Sequence, residues 1–274
     1  MPLAETDMML VIAGFVLLML GGEFVVQGAV TIANRMRVSP LLVGFTVVAI
    51  GTSLPELAVA LEAVGNDTPD IAVGGVLGST VANVMLVLGT AAVLGAASDP
   101  GPGVRRDAIA VAVATVILLA TVLIGKITWQ FGIIMLLSLA AYYTYSYRTS
   151  KAEGVDVGDS KSWLPENVLL AIPTTAVGGY MIWTGAEMLV EGATGLAIDY
   201  GISESVIGLS VVALGTSLPE LAVTLVAGLR GQGGVAIGNI LGSNVINILG
   251  ILGLTSAYAG GIIIAPEFAG RDIW

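Results

Sequence analysis

The stretch VVAIGTSLPELAV, Val47 to Val59, is apolar enough for a buried helix, yet its centre carries a glycine, two hydroxyls, a proline and a glutamate. It returns as VVALGTSLPELAV, Val211 to Val223, with 12 of 13 residues identical. Proline lacks an N–H and crowds the carbonyl four residues back, which is that of Gly51 here and of Gly215 in the copy. In lipid, an unpaired carbonyl costs several kcal/mol, so such a break survives only when buried in protein or lining a cavity. A chain that builds this break twice is using it.

The repetition extends outward at a constant offset of 164 residues. GGEFVVQGA (21–29) falls on GAEMLVEGA (185–193), and VGGVLGSTVAN (73–83) falls on IGNILGSNVIN (237–247). The chain has 274 residues, 56% hydrophobic and 11% charged, against about 25% charged in soluble domains. It belongs in a bilayer. About 20 apolar residues cross the hydrocarbon core, and eight such runs occur, near 8–33, 39–63, 71–96, 104–124, 127–147, 165–197, 203–228 and 235–259. The first and sixth are long, which predicts tilt. Five spans per repeat period, an odd number, make the second copy enter the membrane upside down. Inverted repeats with broken helices at the midplane are a build of secondary transporters.

The expected fold is therefore an all-α integral membrane protein of two inverted-topology repeats. Residues 1–147 form the first repeat with five spans, 148–163 a hydrophilic cytoplasmic linker, and 164–274 a second repeat with three spans. By the offset, counterparts of 103–147 would fall at about 267–311, beyond Trp274. The expectation is a fragment of a ten-span protein, with a natural eight-span chain as the alternative. The start, MPLAETDMML, is acidic rather than basic, so the first run reads as a retained span rather than a cleaved signal. Loops after odd-numbered spans hold eight Lys and Arg against two on the other side, which predicts cytoplasmic odd loops and an external amino terminus.

With no cysteine and no histidine, disulfides, thiolate metal sites and histidine-based catalysis are excluded. Thr52, Ser53 and Glu56 stand at helical spacings that let their oxygens share a face, and Thr216, Ser217 and Glu220 repeat them. In the following span Ser79 and Asn83 are four apart, as are Ser243 and Asn247. The asparagines read as ligands or as interhelical hydrogen-bond glue. Gly74 and Gly78, with Gly238 and Gly242, are spaced for close helix approach. A site of carboxylates, hydroxyls, amides and carbonyls suits Ca²⁺, Mg²⁺ or Mn²⁺ rather than zinc or copper. Loose oxygen cages favour Ca²⁺ over Mg²⁺, and Na⁺ shares the preference.

Glu23, Glu56, Glu62, Glu187, Glu191 and Glu220 are carboxylates within the runs. No Lys or Arg lies well inside a run, so these groups are expected to hold protons or mobile cations. Mobile cations are expected at Glu56 and Glu220. Glu62 and Glu191 are expected near external ends, meeting water. Glu23 and Glu187 form a symmetric pair, expected as protonated structural carboxyls bonded to a neighbouring backbone or hydroxyl. GQGGVAIGN (231–239) lacks the Gly-Lys-Ser/Thr of a phosphate loop and reads as a loop entering a helix.

GTSLPE twice, each followed by GSxxxN in the next span, resembles the sodium/calcium exchanger branch of the cation/calcium exchanger superfamily, of the prokaryotic type without a regulatory domain. The resemblance covers 43–95 and 207–259. It implies ten helices, with Ca²⁺ between Glu56, Glu220 and the carbonyls of Thr52 and Thr216. It implies Na⁺ sites drawing on Ala49, Ser53, Ser79, Ala213, Ser217 and Ser243, with Asn83 and Asn247 completing the central site. Some relatives, including potassium-dependent ones, carry Asp at the position of Asn247, so K⁺ dependence is not expected. Proton-coupled relatives usually replace the Thr-Ser segment, and the hydroxyls here favour Na⁺.

The function expected is a Na⁺/Ca²⁺ antiporter working by alternating access in a prokaryotic cell membrane. A H⁺-coupled Ca²⁺ antiporter is the first alternative and a cation channel the second. An enzyme is the least expected class, with no Ser–Lys pair within the runs. Transported Ca²⁺ and Na⁺ are the only small partners expected beside lipid, with no organic cofactor, no nucleic acid and no obligate protein partner.

Overall fold

The structure is a computed structural model, and it describes residues 2–97, 100–152, 167–201 and 215–272. Its first helix, α1 (Pro2–Met36), is followed by a bent pair, α2 (Pro40–Thr52) and α3 (Leu54–Gly65). α4 (Pro69–Val93), α5 (Val104–Ile124) and α6 (Trp129–Ala152) complete the first half. The second half holds α7 (Val168–Asp199), α8 (Leu218–Leu229) and α9 (Gly233–Tyr258). Five of these are long and apolar enough to cross a membrane, and the bent pair makes six. α6 and α8 stand where the other two expected spans fall. α6 is less apolar, α8 has 12 residues, and residues 202–214 lie outside the described ones.

The proline break falls where the chain chemistry puts it. Ser39 caps α2 by accepting from Leu42 N at 3.2 Å, and α2 ends at Thr52. Ser53, at φ −87° and ψ 5°, leaves the helix, and α3 restarts with Pro55 in its first turn. The two axes meet at 44°. Ser217, at φ −90° and ψ 0°, does the same before α8, with Pro219 in its first turn. Offset by 164, the bounds of α3 fall on those of α8 and the start of α4 falls on that of α9.

Neither the π turns nor the strands were legible beforehand. Wide i+5 turns interrupt α2 at Gly44–Val48, α4 at Asn83–Val87 and α9 at Ile246–Ile251. Such turns insert one residue into the helical ladder and cluster at functional sites, but no periodicity announces them. A short antiparallel ribbon, β1 (Lys126–Thr128) with β2 (Gly261–Ile263), joins the α5–α6 corner to the end of α9. The all-helical expectation is corrected to that extent; three-residue strands leave no pattern to read.

Packing depends on glycine. A Cβ at Gly14 would lie 2.6 Å from the Gly185 carbonyl oxygen, and one at Gly21 2.7 Å from that of Gly178. Gly28 meets Thr175 and Ala171. Rising numbers on α1 meet falling numbers on α7, so the two long helices are antiparallel. Small residues every seven positions let the backbones touch. α9 lies at the centre and is buried along most of its length. Gly238 rests on the Leu41 carbonyl and Gly242 on that of Phe45, so the second small-xxx-small pair does what its spacing predicts. In the first copy Gly74 meets only the Phe268 ring, at 3.5 Å, and Gly78 nothing within 4 Å, among the described residues. Residues 204–214, the offset counterparts of most of α2, lie outside the described ones.

Candidate cation site

Between the two breaks, α4 and α9 bring their polar residues together in the core. Thr52, Ser53, Glu56, Ser79, Asn83, Ser217, Glu220, Ser243 and Asn247 are all buried, Glu220 and both asparagines completely. Ala49 is buried beside them and Thr216 is half-buried. Ala213 lies outside the described residues. The helical break delivers Glu56 and Glu220 to the first turns of α3 and α8, where unpaired backbone N–H groups favour an anion.

Hydrogen bonds tie the two motifs to each other. Ser79 Oγ donates to Glu56 Oε1 at 3.3 Å, and Asn247 Nδ2 donates to Ser79 Oγ at 3.0 Å. Glu220 Oε1 accepts from Ser243 Oγ at 3.3 Å and from Ser53 Oγ, of the first motif, at 3.5 Å. Thr52 Oγ1 lies 3.3 Å from Ser243 Oγ. In this cluster five buried side-chain oxygens have no hydrogen-bond partner among the described residues: Glu56 Oε2, Glu220 Oε2, Asn83 Oδ1, Asn247 Oδ1 and Ser217 Oγ. Buried polar atoms without partners are rare and need an explanation. Oxygen lone pairs gathered around two carboxylates are the donor set of a hard cation. Two negative charges match one divalent ion or two monovalent ones.

Two further asparagines belong to this network and were missed from sequence. Asn239 accepts from Thr52 Oγ1 at 3.1 Å and donates from Nδ2 to the Glu220 carbonyl at 3.4 Å. Asn244 Oδ1 accepts from Asn83 Nδ2 at 3.2 Å, which fixes the Asn83 amide with its own oxygen free. Their counterparts are Gly75 and Thr80, so a search for matched letters passed over them. Their polarity inside an apolar run was the available signal.

The outer carboxylates divide. Glu62 and Glu191 are exposed. Glu187 accepts from the Trp183 indole at 2.6 Å rather than from a backbone group or hydroxyl. Glu23 corrects the expectation that fixed cations are lacking: Arg230 Nε reaches its Oε2 at 2.8 Å, and Gln27 Nε2 its Oε1 at 2.9 Å. Arg230 follows α8 directly, close enough for its side chain to meet α1. A cavity of about 330 Å³ runs from Glu62 and Glu187, past Trp183, to Pro55, Pro219 and Thr216.

Apolar helices around a buried oxygen-lined site define an integral, multi-pass membrane protein of the ion-transporting kind. A family model described as sodium/calcium exchanger protein matches residues 7–148 and 170–273, and the chain belongs to that family. It is 31% identical to the sodium/calcium exchanger MaX1 of Methanosarcina acetivorans over 92% of this chain and 83% of that one. It is 34% identical to the inner membrane protein YrbG of Escherichia coli, over 93% of this chain and 80% of that one. The solved sodium/calcium exchanger from Methanococcus jannaschii superimposes with a TM-score of 0.79 at 29% identity, covering 96% of this chain and 84% of that one. The chain is a cation/Ca²⁺ antiporter of this family.

Proposed function

We propose that the protein exchanges Na⁺ for Ca²⁺ by alternating access, with both ions bound in turn between the two GTSLPE motifs. The observation that carries this reading is the set of five buried, partnerless oxygens on and around Glu56 and Glu220. Ca²⁺ is held by both carboxylates and the carbonyls of Thr52 and Thr216. Na⁺ ions take the same carboxylates together with the Ser53, Ser79, Ser217 and Ser243 hydroxyls, the Ala49 and Ala213 carbonyls, and the Asn83 and Asn247 amides. One cage with a charge of −2 holds Ca²⁺ or Na⁺ but not both, and that exclusion is the coupling.

Hydroxyls at Thr52, Ser53, Thr216 and Ser217 support Na⁺ as the counter-ion. The exchanger of similar fold was soaked with Na⁺ and Sr²⁺, ions of the same two charge classes. Residues 1–147 and 164–274 act as inverted repeats; the antiparallel α1 and α7 and the twin breaks support this. We place the amino terminus outside a prokaryotic cell membrane on the Lys and Arg distribution. The test is ⁴⁵Ca²⁺ uptake by proteoliposomes loaded with Na⁺ and diluted into K⁺ buffer with pH clamped. Uptake that requires the outward Na⁺ gradient supports the reading. Uptake driven only by a pH gradient would replace Na⁺ with H⁺.

A further inference from the structure

Two places related by the 164-residue offset differ in this one molecule. In one, Ala58, Glu62, Ala186 and Glu187 line the open cavity of about 330 Å³. Their counterparts are Ala222, Val226, Gly22 and Glu23, and these are pressed together. A Cβ on Gly22 would lie 3.0 Å from Val226 Cγ2 and 3.2 Å from the Ala222 carbonyl oxygen. Beside this closed seam sits the Glu23–Arg230 pair at 2.8 Å. The counterpart of Arg230 is Asn66 and that of Gln27 is Glu191. The open half has no cation at the position where the closed half has one, and an added carboxylate on the long helix.

We propose that Glu23 and Arg230 form a one-sided latch, positioning α1 against the end of α8 and favouring the conformer open on the Glu62–Glu187 side. α7 follows α1 through the glycine seam. This rests on the alternating-access reading above. Opening the Gly22 side parts an ion pair. Closing the other side draws Glu62 toward Ala186 and Glu187 toward Asn66, and forms no ion pair in exchange. Arg230 is 57% exposed and Glu23 17%, so the pair biases the equilibrium about two- to fivefold rather than locking it.

The chain has no cysteine, so Ala58→Cys and Ala222→Cys each give it a single thiol. In detergent, both faces meet a water-soluble maleimide. The thiol at position 58, on the open wall, reacts fast and the one at 222 slowly. Adding Arg230→Gln raises the rate at 222 about two- to fivefold and lowers that at 58. The swap Glu23→Arg with Arg230→Glu restores both. An unchanged ratio, or both rates rising together as in a loosened fold, overturns the latch. Saturating Na⁺ against Ca²⁺, without Arg230→Gln, separates the two readings. If the ions move the rates reciprocally and Arg230→Gln does not, only the latch fails. If neither moves them, alternating access fails with it.

Discussion

Each carboxylate of the pair has one oxygen held and one oxygen free, which makes its charge useful only to something that arrives. Removing one partner of a buried charged contact costs about 2–5 kcal/mol, or about 30-fold and more in affinity. Glu56→Gln and Glu220→Gln are each expected to reduce Ca²⁺ exchange by at least that factor in the proteoliposome assay. Neither should lower the melting midpoint in ion-free buffer, since the substitution removes an uncompensated buried charge. Asn239→Ala behaves oppositely. It strips two buried bonds from Thr52 and the Glu220 carbonyl, costs about 1–3 kcal/mol, and should lower the midpoint as well as exchange. A normal midpoint for Asn239→Ala would mean that its strut is idle. These residues show what was legible at this scale. Glu56, Glu220 and the matched hydroxyls stand out because polar atoms recur in apolar stretches. Asn239 and Asn244 do not recur, and the Glu23–Arg230 contact joins residues 207 apart, with Arg230 counted as a loop charge.

Proline stands in the first turn of α2, α3, α4 and α8. A continuous helix through Ser217 would draw the Thr216 carbonyl back onto the helix axis and away from the cage, so Pro219→Ala should leave the protein at least as stable yet slow its exchange. Loss of one ligand worth about 1.4 kcal/mol is about tenfold. Exchange at the original rate with an intact fold would show that the break supplies no ligand. The packing of α2 on α9 is less forgiving, because Gly238 and Gly242 touch backbone, which cannot rotate away. Gly242→Val should cost about 1–3 kcal/mol or more by overpacking, seen as aggregation on size exclusion. The breaks, the long α1 and α7 and the glycine contacts of α9 could be anticipated from proline, run length and spacing. The π turns could not, since one inserted residue changes backbone bonding without changing the letters.

Across the whole molecule, the same elements at a 164-residue offset stand in two arrangements, one side open and the other packed. The constant offset made the doubling legible, but not which side is open. That depends on small differences between the copies, such as Arg230 against Asn66 and Val226 against Glu62. A ligand at a hundred times its dissociation constant stabilises by about 2.7 kcal/mol, so Ca²⁺ should raise the melting midpoint and competing Na⁺ should return part of the shift. The central claim is that one cage, closed by both carboxylates, serves both ions. Calorimetric Ca²⁺ titration of the purified protein, repeated with Na⁺ present and with Glu56→Gln and Glu220→Gln, tests it most directly. The account predicts one Ca²⁺ per chain, weakened by Na⁺ and lost in either variant. Ca²⁺ binding that survives both substitutions, or that ignores Na⁺, would contradict it.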